Sequence, residues 1–238
     1  MKDDTVIIIP ARGGSKRLSY KNLLLVDGRS LVMRAVDRAA DSQLGRVIVS
    51  TEDKKIQEHL KTFQRNPWHF YIHSREESLA QDDARAWEVC LNVLLVVQEY
   101  KTLIMTLPTS PFCTANDLQL AYQMFLNNDR RPILSVTKQN FNPNTLGIID
   151  GDYMWPFNPC PGKYSFYWDS KFIKEGQKKR TYLSNGAIFI CDISRLRQKK
   201  EQYIDGMIGY VMPRDRGLDI NTEMDYEFAK FLAERESK

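Results

Sequence analysis

Eight consecutive residues, Pro10-Ala11-Arg12-Gly13-Gly14-Ser15-Lys16-Arg17, with Lys21-Asn22 close behind, gather glycine, hydroxyl and cation at the end of an apolar run. Glycines let backbone N–H groups approach phosphate oxygens, while Arg12, Lys16 and Lys21 can neutralise a polyphosphate. A nucleoside triphosphate is the ligand such a loop suits. The competing reading is a surface turn carrying solvated cations, because glycine-rich phosphate patterns also arise without a ligand. Neither G-x-x-x-x-G-K-S/T nor G-x-G-x-x-G occurs here, which argues against ATPase and dinucleotide-binding loops. Cys90, Cys113, Cys160 and Cys191 lack C-x-x-C spacing, against a zinc site and against a disulfide framework. His59, His69 and His73 have no metal-ligand spacing, and no Ser-His-Asp or Cys-His nucleophile is suggested.

The elements around this loop must hold it at a sheet edge. Thr5 to Pro10 is a continuous apolar, β-branched run and predicts a buried central strand; Arg46 to Thr51 repeats the pattern. Between them Leu31, Val32, Ala35, Val36, Ala39 and Ala40 fall at helical spacing, giving a βαβ unit. The alternation continues with a helix from Asp53 to Gln64, a strand at Trp68 to Ile72, a helix from Asp82 to Gln98 and a strand at Thr102 to Leu107. Thr114 with Asp117 forms a capping box for the next helix, and Pro132 to Thr137 supplies a further strand. The fold class is therefore α/β with a mostly parallel sheet, and the glycine loop lies at its carboxyl edge, where ligands of such sheets bind.

From about Lys138 to Tyr182 the rhythm breaks, with Pro143, Pro156, Pro159, Pro161 and a dense set of aromatics from Phe141 to Trp168. Such aromatic surface packs against the core or a second subunit. The expectation is a core of residues 1–138 and 182–238 interrupted by a protruding dimerisation arm, 139–181, giving a homodimer. The rhythm resumes with a strand at Asn185 to Cys191, a helix at Ile193 to Lys199, a strand at Ile208 to Met212 and a final helix capped by Thr222 and Asp225.

The 238 residues, 42% hydrophobic and 27% charged, suit one large domain or a core with an appendage. Lys plus Arg number 34 against 30 Asp plus Glu, and a net charge of +4 spread evenly gives no reason to expect nucleic-acid binding. No signal-peptide h-region and no run of roughly 18 apolar residues appears, so no membrane partner and a cytoplasmic location are expected.

The stretch PARGGSK followed by Lys21-Asn22 resembles the opening signature of the acylneuraminate cytidylyltransferases, the CMP-sialic acid synthetase family, which includes pseudaminic and legionaminic acid cytidylyltransferases. Val49-Ser50-Thr51-Glu52-Asp53 is similar to the family's VSTDD, Arg75 with Leu79 and Asp82 to its R-P-x-x-L-x-x-D, and Leu107-Pro108-Thr109-Ser110-Pro111 to its QPTSP. Asn185 to Ile190 resembles NGAIYI, and Leu218-Asp219-Ile220-Asn221-Thr222-Glu223 resembles VDIDTE. The resemblance spans nearly the whole chain. It implies a Rossmann-like nucleotidyltransferase (GT-A-like) three-layer fold, an intersubunit arm, and Mg²⁺-dependent transfer of CMP from CTP to the anomeric hydroxyl of a 2-keto-3-deoxy sugar acid, with pyrophosphate leaving. By the same resemblance Arg12, Gly13, Gly14, Ser15 and Lys16 hold the triphosphate with Lys21 close by, and Asn22 and the turn of Pro108, Thr109 and Ser110 face the nucleoside. Arg12, Lys16, Lys21 and Asp219 carry the catalysis.

Asp219 lies between a strand and the capped final helix, where a hard carboxylate can hold Mg²⁺ against phosphate oxygens. The alternative is an aspartate that caps a turn before Thr222. Asn221 replaces the second acid of D-I-D; an amide oxygen can ligate the ion but brings no charge, so the site would rest on Asp219, triphosphate and water with Asn221 as a weaker contributor. Other departures are Arg17-Leu18-Ser19-Tyr20 for G-I-P-R, Leu107 for Gln and Cys113 for Arg, and they leave the base as the least determined part of the ligand. Lys163, Lys171, Lys174 and Lys178-Lys179-Arg180 supply cations in the arm, for which the solvated-loop reading is preferred. Two alternatives stand beside CMP transfer: a nucleotidyltransferase for another nucleotide or a sugar phosphate, and a non-catalytic binding relative. Keeping Arg12, Lys16 and Asp219 together favours catalysis.

Overall fold

The computed structural model describes residues 4–63, 70–81, 84–139, 147–150, 153–156, 181–200 and 206–236. Trp68 and Asp82, expected as element starts, and most of the 139–181 segment lie outside them. Strand β1 (Thr5–Pro10) is buried along its length because Val, Ile, Ile and Ile face helices on both sides. Its residues divide by parity. Ile7 and Ile9 join one apolar core with Val32, Val36, Leu60, Leu118 and Phe125, while Val6 and Ile8 join another with Trp87, Val93, Leu94 and Leu196. This alternation is what a strand between two helical layers requires.

The remaining strands are β2 (Leu25–Val26), β3 (Arg29–Ser30), β4 (Arg46–Thr51), β5 (Tyr71–Ser74), β6 (Thr102–Met105), β7 (Ile133–Gln139), β8 (Gly147–Asp150), β9 (Tyr153–Pro156), β10 (Thr181–Asp192) and β11 (Ile208–Met212). The helices are α1 (Leu31–Ser42), α2 (Lys54–Phe63), α3 (Ala86–Val96), α4 (Ala115–Asn127), α5 (Ile193–Lys199) and α6 (Glu223–Glu236). Seven strands form the main sheet in the order β11-β7-β10-β6-β1-β4-β5. β1 is parallel to β4 and β6, β4 is parallel to β5, and β10 runs antiparallel to β6 with Ile190 opposite Ile104. The order reverses beside β1, so the loop that follows β1 opens at a switch point of the sheet.

Local signals set most boundaries. Ser30 caps α1 by accepting from Met33 N, and Thr114 with Asp117 forms the capping box of α4. Thr222 and Asp225 exchange the same pair of bonds ahead of α6. Several edges differ from expectation. α3 spans Ala86–Val96, with Arg85 extended as its N-cap, where Asp82 to Gln98 was expected, and β7 runs on to Gln139, past the expected end at Thr137. β5 runs on to Ser74 because its register with β4 carries through Thr51; β6 stops at Met105, three residues before Pro108 and short of the expected Leu107; and β10 begins at Thr181, four residues before Asn185.

The chain divides into two compact units, Met1–Val136 with Ser184–Lys238, and Thr137–Leu183. β7 and β10 each pass from one to the other. In the second unit β8 and β9 pair antiparallel, with Ile148 opposite Trp155. No helix among the described residues is long and apolar enough to cross a membrane.

Candidate active site

The loop after β1 is shaped by its neighbours at the sheet edge. Ala11 N donates to Ser50 O at 2.9 Å, extending the β1–β4 pairing by one residue. Gly13 N then donates to Glu52 Oε1 at 2.7 Å. A side chain on Gly13 would place its Cβ 2.1 Å from Asp53 Oδ2, so this position admits glycine because of close approach. The other oxygen of Glu52 accepts from Arg75 Nε at 2.7 Å, and Arg75 Nη2 lies 2.6 Å from it. One carboxylate thus laces the ends of β1, β4 and β5. Burial pushes the Glu52 carboxyl upward, but the Gly13 N–H, its own backbone N–H and Arg75 outweigh that and hold it below the ordinary glutamate range.

With the Gly13 amide committed to Glu52, Gly14, Ser15 and Lys16 face a cleft of about 470 Å³ that Glu52, Glu77, Ala80 and Gln81 also line. Arg12 Nη1 donates to Gln81 O at 3.4 Å. Asn22 is buried, and its Nδ2 donates to Arg12 O at 2.7 Å. Its amide therefore fixes the loop. Tyr20 precedes a short 3-10 turn, Lys21–Leu23, in the left-handed region at φ 48°. Lys55 Nζ donates to the Tyr20 hydroxyl at 2.8 Å.

Lys21 links this loop to the segment before α6. Its Nζ donates to Ile220 O at 2.8 Å and reaches Asn221 Oδ1 at 3.4 Å. Burial lowers the Lys21 ammonium pKa below the ordinary lysine value; Asp219 opposes the shift, and Arg17 and Arg12 add to it. Asn221 Nδ2 donates to Asp219 Oδ2 at 2.6 Å, while Asp219 Oδ1 is buried without a hydrogen-bond partner. The capping work falls to Asp225, which accepts from Asn221 N at 2.9 Å and from Thr222 N at 2.7 Å. Asp219 is left with an oxygen that no turn uses.

Two anchors hold the Asp219 segment. Ile220 N donates to Thr109 O at 2.8 Å. Three residues before Asp219, Arg216 donates from Nε and Nη2 to the fully buried carboxylate of Asp117, which also accepts from Tyr210 Oη at 2.8 Å. The turn after β6 is itself built on Arg38 of α1. That buried guanidinium donates to Thr106 Oγ1 and to the carbonyls of Leu107 and Ser110. Ser110 is also buried, with its hydroxyl donating to Asn185 O at 3.4 Å, whereas Thr109 is partly exposed.

The structure therefore joins Thr109, Asp219, Asn221, Lys21, Asn22, Arg12 and Gly13 through a chain of direct contacts and segment links, and sets Gly14, Ser15 and Lys16 on the cleft. Pro108, Ser110 and Asn22 are buried supports of their loops. Sequence reasoning assigned no role to Glu52, Arg75 or Arg38, and foresaw Asp225 only as the cap of α6, a part it plays. Glu52 and Arg75 stood within recognised motifs, but nothing in their spacing shows that they meet.

The donor set fits a hard cation. Asp219 Oδ1 is an orphaned anionic oxygen, and no group of three or more His, Cys, Asp and Glu capable of holding a metal occurs among the described residues. One carboxylate completed by phosphate oxygens and water is the manner in which Mg²⁺ is commonly held.

A cytidylyltransferase family model matches residues 6–211. The chain belongs to the cytidylyltransferase family. It is 27% identical over 240 aligned residues to N-acylneuraminate cytidylyltransferase of Escherichia coli O18:K1:H7, covering all of this chain and 54% of that protein, so the chain spans about half of that relative. It is 27% identical to pseudaminic acid cytidylyltransferase of Campylobacter jejuni serotype O:2, covering 94% of both. CMP-N,N'-diacetyllegionaminic acid synthase of Legionella pneumophila is 24% identical, with 95% of both covered. Among solved structures, CMP:2-keto-3-deoxy-manno-octonic acid synthetase complexed with CTP superposes with a TM-score of 0.71 at 17% identity, over 98% of this chain and all of that one. A 4-diphosphocytidyl-2C-methyl-D-erythritol synthase of Anaerococcus prevotii gives 0.65 at 14% identity, over 98% of this chain and 97% of that one. These likenesses establish the nucleotidyltransferase fold for this cytidylyltransferase-family chain.

Proposed function

We propose that this chain transfers CMP from CTP to the anomeric hydroxyl of a nonulosonic, sialic-acid-like sugar acid and releases pyrophosphate. The anomeric oxygen bonds to the α-phosphorus, the bond from that phosphorus to the bridging oxygen breaks, and the hydroxyl proton passes to solvent. The observation that carries the reading is the joining of two loops through Lys21: the glycine-rich loop on one side and the partner-free oxygen of Asp219 on the other. The match over residues 6–211 and relatives named for three nonulosonic acids support the nucleotide and the acceptor class.

In this reading Gly14 and Ser15 offer N–H and hydroxyl donors to the triphosphate, and Arg12, Lys16 and Lys21 neutralise it. Work of this kind is positioning and electrostatics. Mg²⁺, held by Asp219, would supply the remaining charge neutralisation at the phosphate oxygens. Gly13 acts as the pivot of the loop through Glu52. Residues 139–181 form the dimerisation arm, a proposal supported by their aromatic density. A cytoplasmic location is supported by Cys90, Cys113 and Cys191, each buried and free.

The experiment is pyrophosphate release with Mg²⁺ across CTP, UTP, GTP and ATP, each paired with sialic, pseudaminic and legionaminic acids and with 2-keto-3-deoxy-manno-octonic acid, products identified by mass. CTP-dependent release with one acid class is expected, and its loss in Asp219→Ala. Release with a different nucleotide, or none with CTP and any acid, overturns the proposal.

A further inference from the structure

Asn221 stands between two charged groups of the site, Asp219 and Lys21. Its Nδ2 donates to Asp219 Oδ2 at 2.6 Å and its Oδ1 accepts from Lys21 Nζ at 3.4 Å. Chemistry fixes this orientation of the amide, since a carboxylate has no hydrogen to give and an ammonium has no lone pair to receive one. The backbone N–H of Asn221 is held separately by Asp225 at 2.9 Å, so the main chain does not depend on the side chain. The neighbouring oxygen, Asp219 Oδ1, is the one left buried and unpartnered.

We infer that Asn221 is a positioning residue and not a metal ligand: its amide N–H fixes one oxygen of Asp219 so that the other meets the divalent cation, and its carbonyl keeps Lys21 beside the same carboxylate. The inference rests on the nucleotidyltransfer reading and deepens it. A ligand role would set the divalent cation on the same oxygen that accepts from the Lys21 ammonium, cation against cation. An aspartate at this position would bring no hydrogen to Asp219, would set two carboxylates against each other at hydrogen-bonding range, and would draw the Lys21 ammonium into an ion pair and away from phosphate. The neutral amide avoids all three. It also adds no second carboxylate beside Asp219, so more of the negative charge that holds the cation has to come with the nucleotide.

Mn²⁺, visible by electron paramagnetic resonance, is the probe, titrated into the full chain with CTP and without sugar acid. Wild type is expected to bind Mn²⁺ with CTP and far more weakly without it. Asn221→Ala is expected to weaken Mn²⁺ binding about tenfold, the usual effect of removing a group that orients a metal ligand, with melting temperature and metal-free CTP affinity unchanged. Asn221→Asp is expected to hold the ion at least as tightly yet to release pyrophosphate about tenfold more slowly at saturating metal. Unchanged Mn²⁺ affinity in Asn221→Ala, or turnover of Asn221→Asp at or above the wild-type rate, overturns the inference. So does a parallel fall of stability and metal-free CTP affinity in Asn221→Ala, which marks a structural role. Wild type binding no Mn²⁺ in the presence of CTP removes the nucleotidyltransfer reading and the inference with it, whereas wild type that binds and turns over while the variants behave like it defeats the inference alone.

Discussion

An alanine methyl at position 13 would lie 2.1 Å from Asp53 Oδ2 and 2.5 Å from Asp53 Cβ and Cγ, so Gly13→Ala must displace either the loop or the start of α2. Displacements of about 1 Å at a phosphate-positioning loop cost roughly a hundredfold in rate. Gly13→Ala is accordingly expected to lose about that much kcat/KM for CTP, measured by pyrophosphate release, whereas Gly14→Ala, with nothing within 4 Å of its added carbon, is expected to lose far less. Glu52 gives the second test at this scale. Glu52→Gln keeps an acceptor for Gly13 N–H but strands Arg75, whose side chain is 2% exposed against 15% for Glu52. Removing one partner of such a buried pair costs about 3 kcal/mol. The folded Glu52 pKa is depressed, so its contribution is complete above the unfolded glutamate value of about 4.3 and is lost as pH falls through the lower folded value. Chemical denaturation of wild type and Glu52→Gln is expected to show a full stability gap at pH 7 that closes below about pH 4; a gap independent of pH would refute the ion-pair account. Here the limits of sequence reading are physical. Arg12, Lys16 and Lys21 were legible because their charges crowd one short loop, but residues 13, 52 and 75 converge only through the parallel register of β1, β4 and β5, which spacing does not encode.

At the scale of elements, α1 does more than cover the sheet. Arg38 projects from it beneath the turn after β6 and supplies donors to Thr106 Oγ1 and to the Leu107 and Ser110 carbonyls. Thr109 in that turn then accepts from Ile220 N, so the helix supports the Asp219 segment at one remove. Arg38→Leu takes a charge-assisted partner from each of these buried acceptors, worth about 1.5–3 kcal/mol for a hydrogen bond to a charged group, while the Ser110 and Cys113 amides still serve the Leu107 and Ser110 carbonyls and Thr106 Oγ1 still donates to Ala187 O. The expected outcome is a melting temperature lower by roughly 6–12 °C for a loss near 3 kcal/mol in a chain of this size. Arg38→Lys should fail to restore it, because an ammonium cannot fork to three separated acceptors; full recovery with lysine would show that charge, and not geometry, matters. Elements whose apolar period is strong were legible beforehand: β1 and β4 from continuous β-branched runs, α4 and α6 from their capping boxes. Edges were less so. The ends of β5 and β6 depend on which neighbour continues the ladder, and β10 extends back to Thr181 through Tyr182 and Leu183, which are exposed and give no burial pattern to read. Arg38 offered no signal at all, since an arginine on a helix ordinarily faces water.

On the scale of the whole molecule, the division into two units predicts what can be removed. The unit made of residues 1–136 and 184–238 holds the glycine loop, Glu52, Arg75, Lys21 and Asp219, and among the described residues the two cores on either side of β1 and a third around Leu31, Phe112 and Ile220 are drawn from it. Strands β7 and β10 lead out of it and back, and at their far ends Thr181 Oγ1 donates to Gln139 O at 3.4 Å. Two chain ends that meet within a hydrogen bond can be rejoined by a short glycine-containing turn, and closing so small a loop costs little entropy. Replacing residues 140–180 by such a turn is therefore expected to leave a chain that melts cooperatively and binds CTP. If 139–181 is the dimerisation arm, the full chain sediments as a dimer at micromolar concentration and the shortened one as a monomer. A shortened chain that still dimerises would relocate the interface to the nucleotide-binding unit, and one that fails to fold would mean that this unit draws essential stability from the inserted residues, despite holding its own cores.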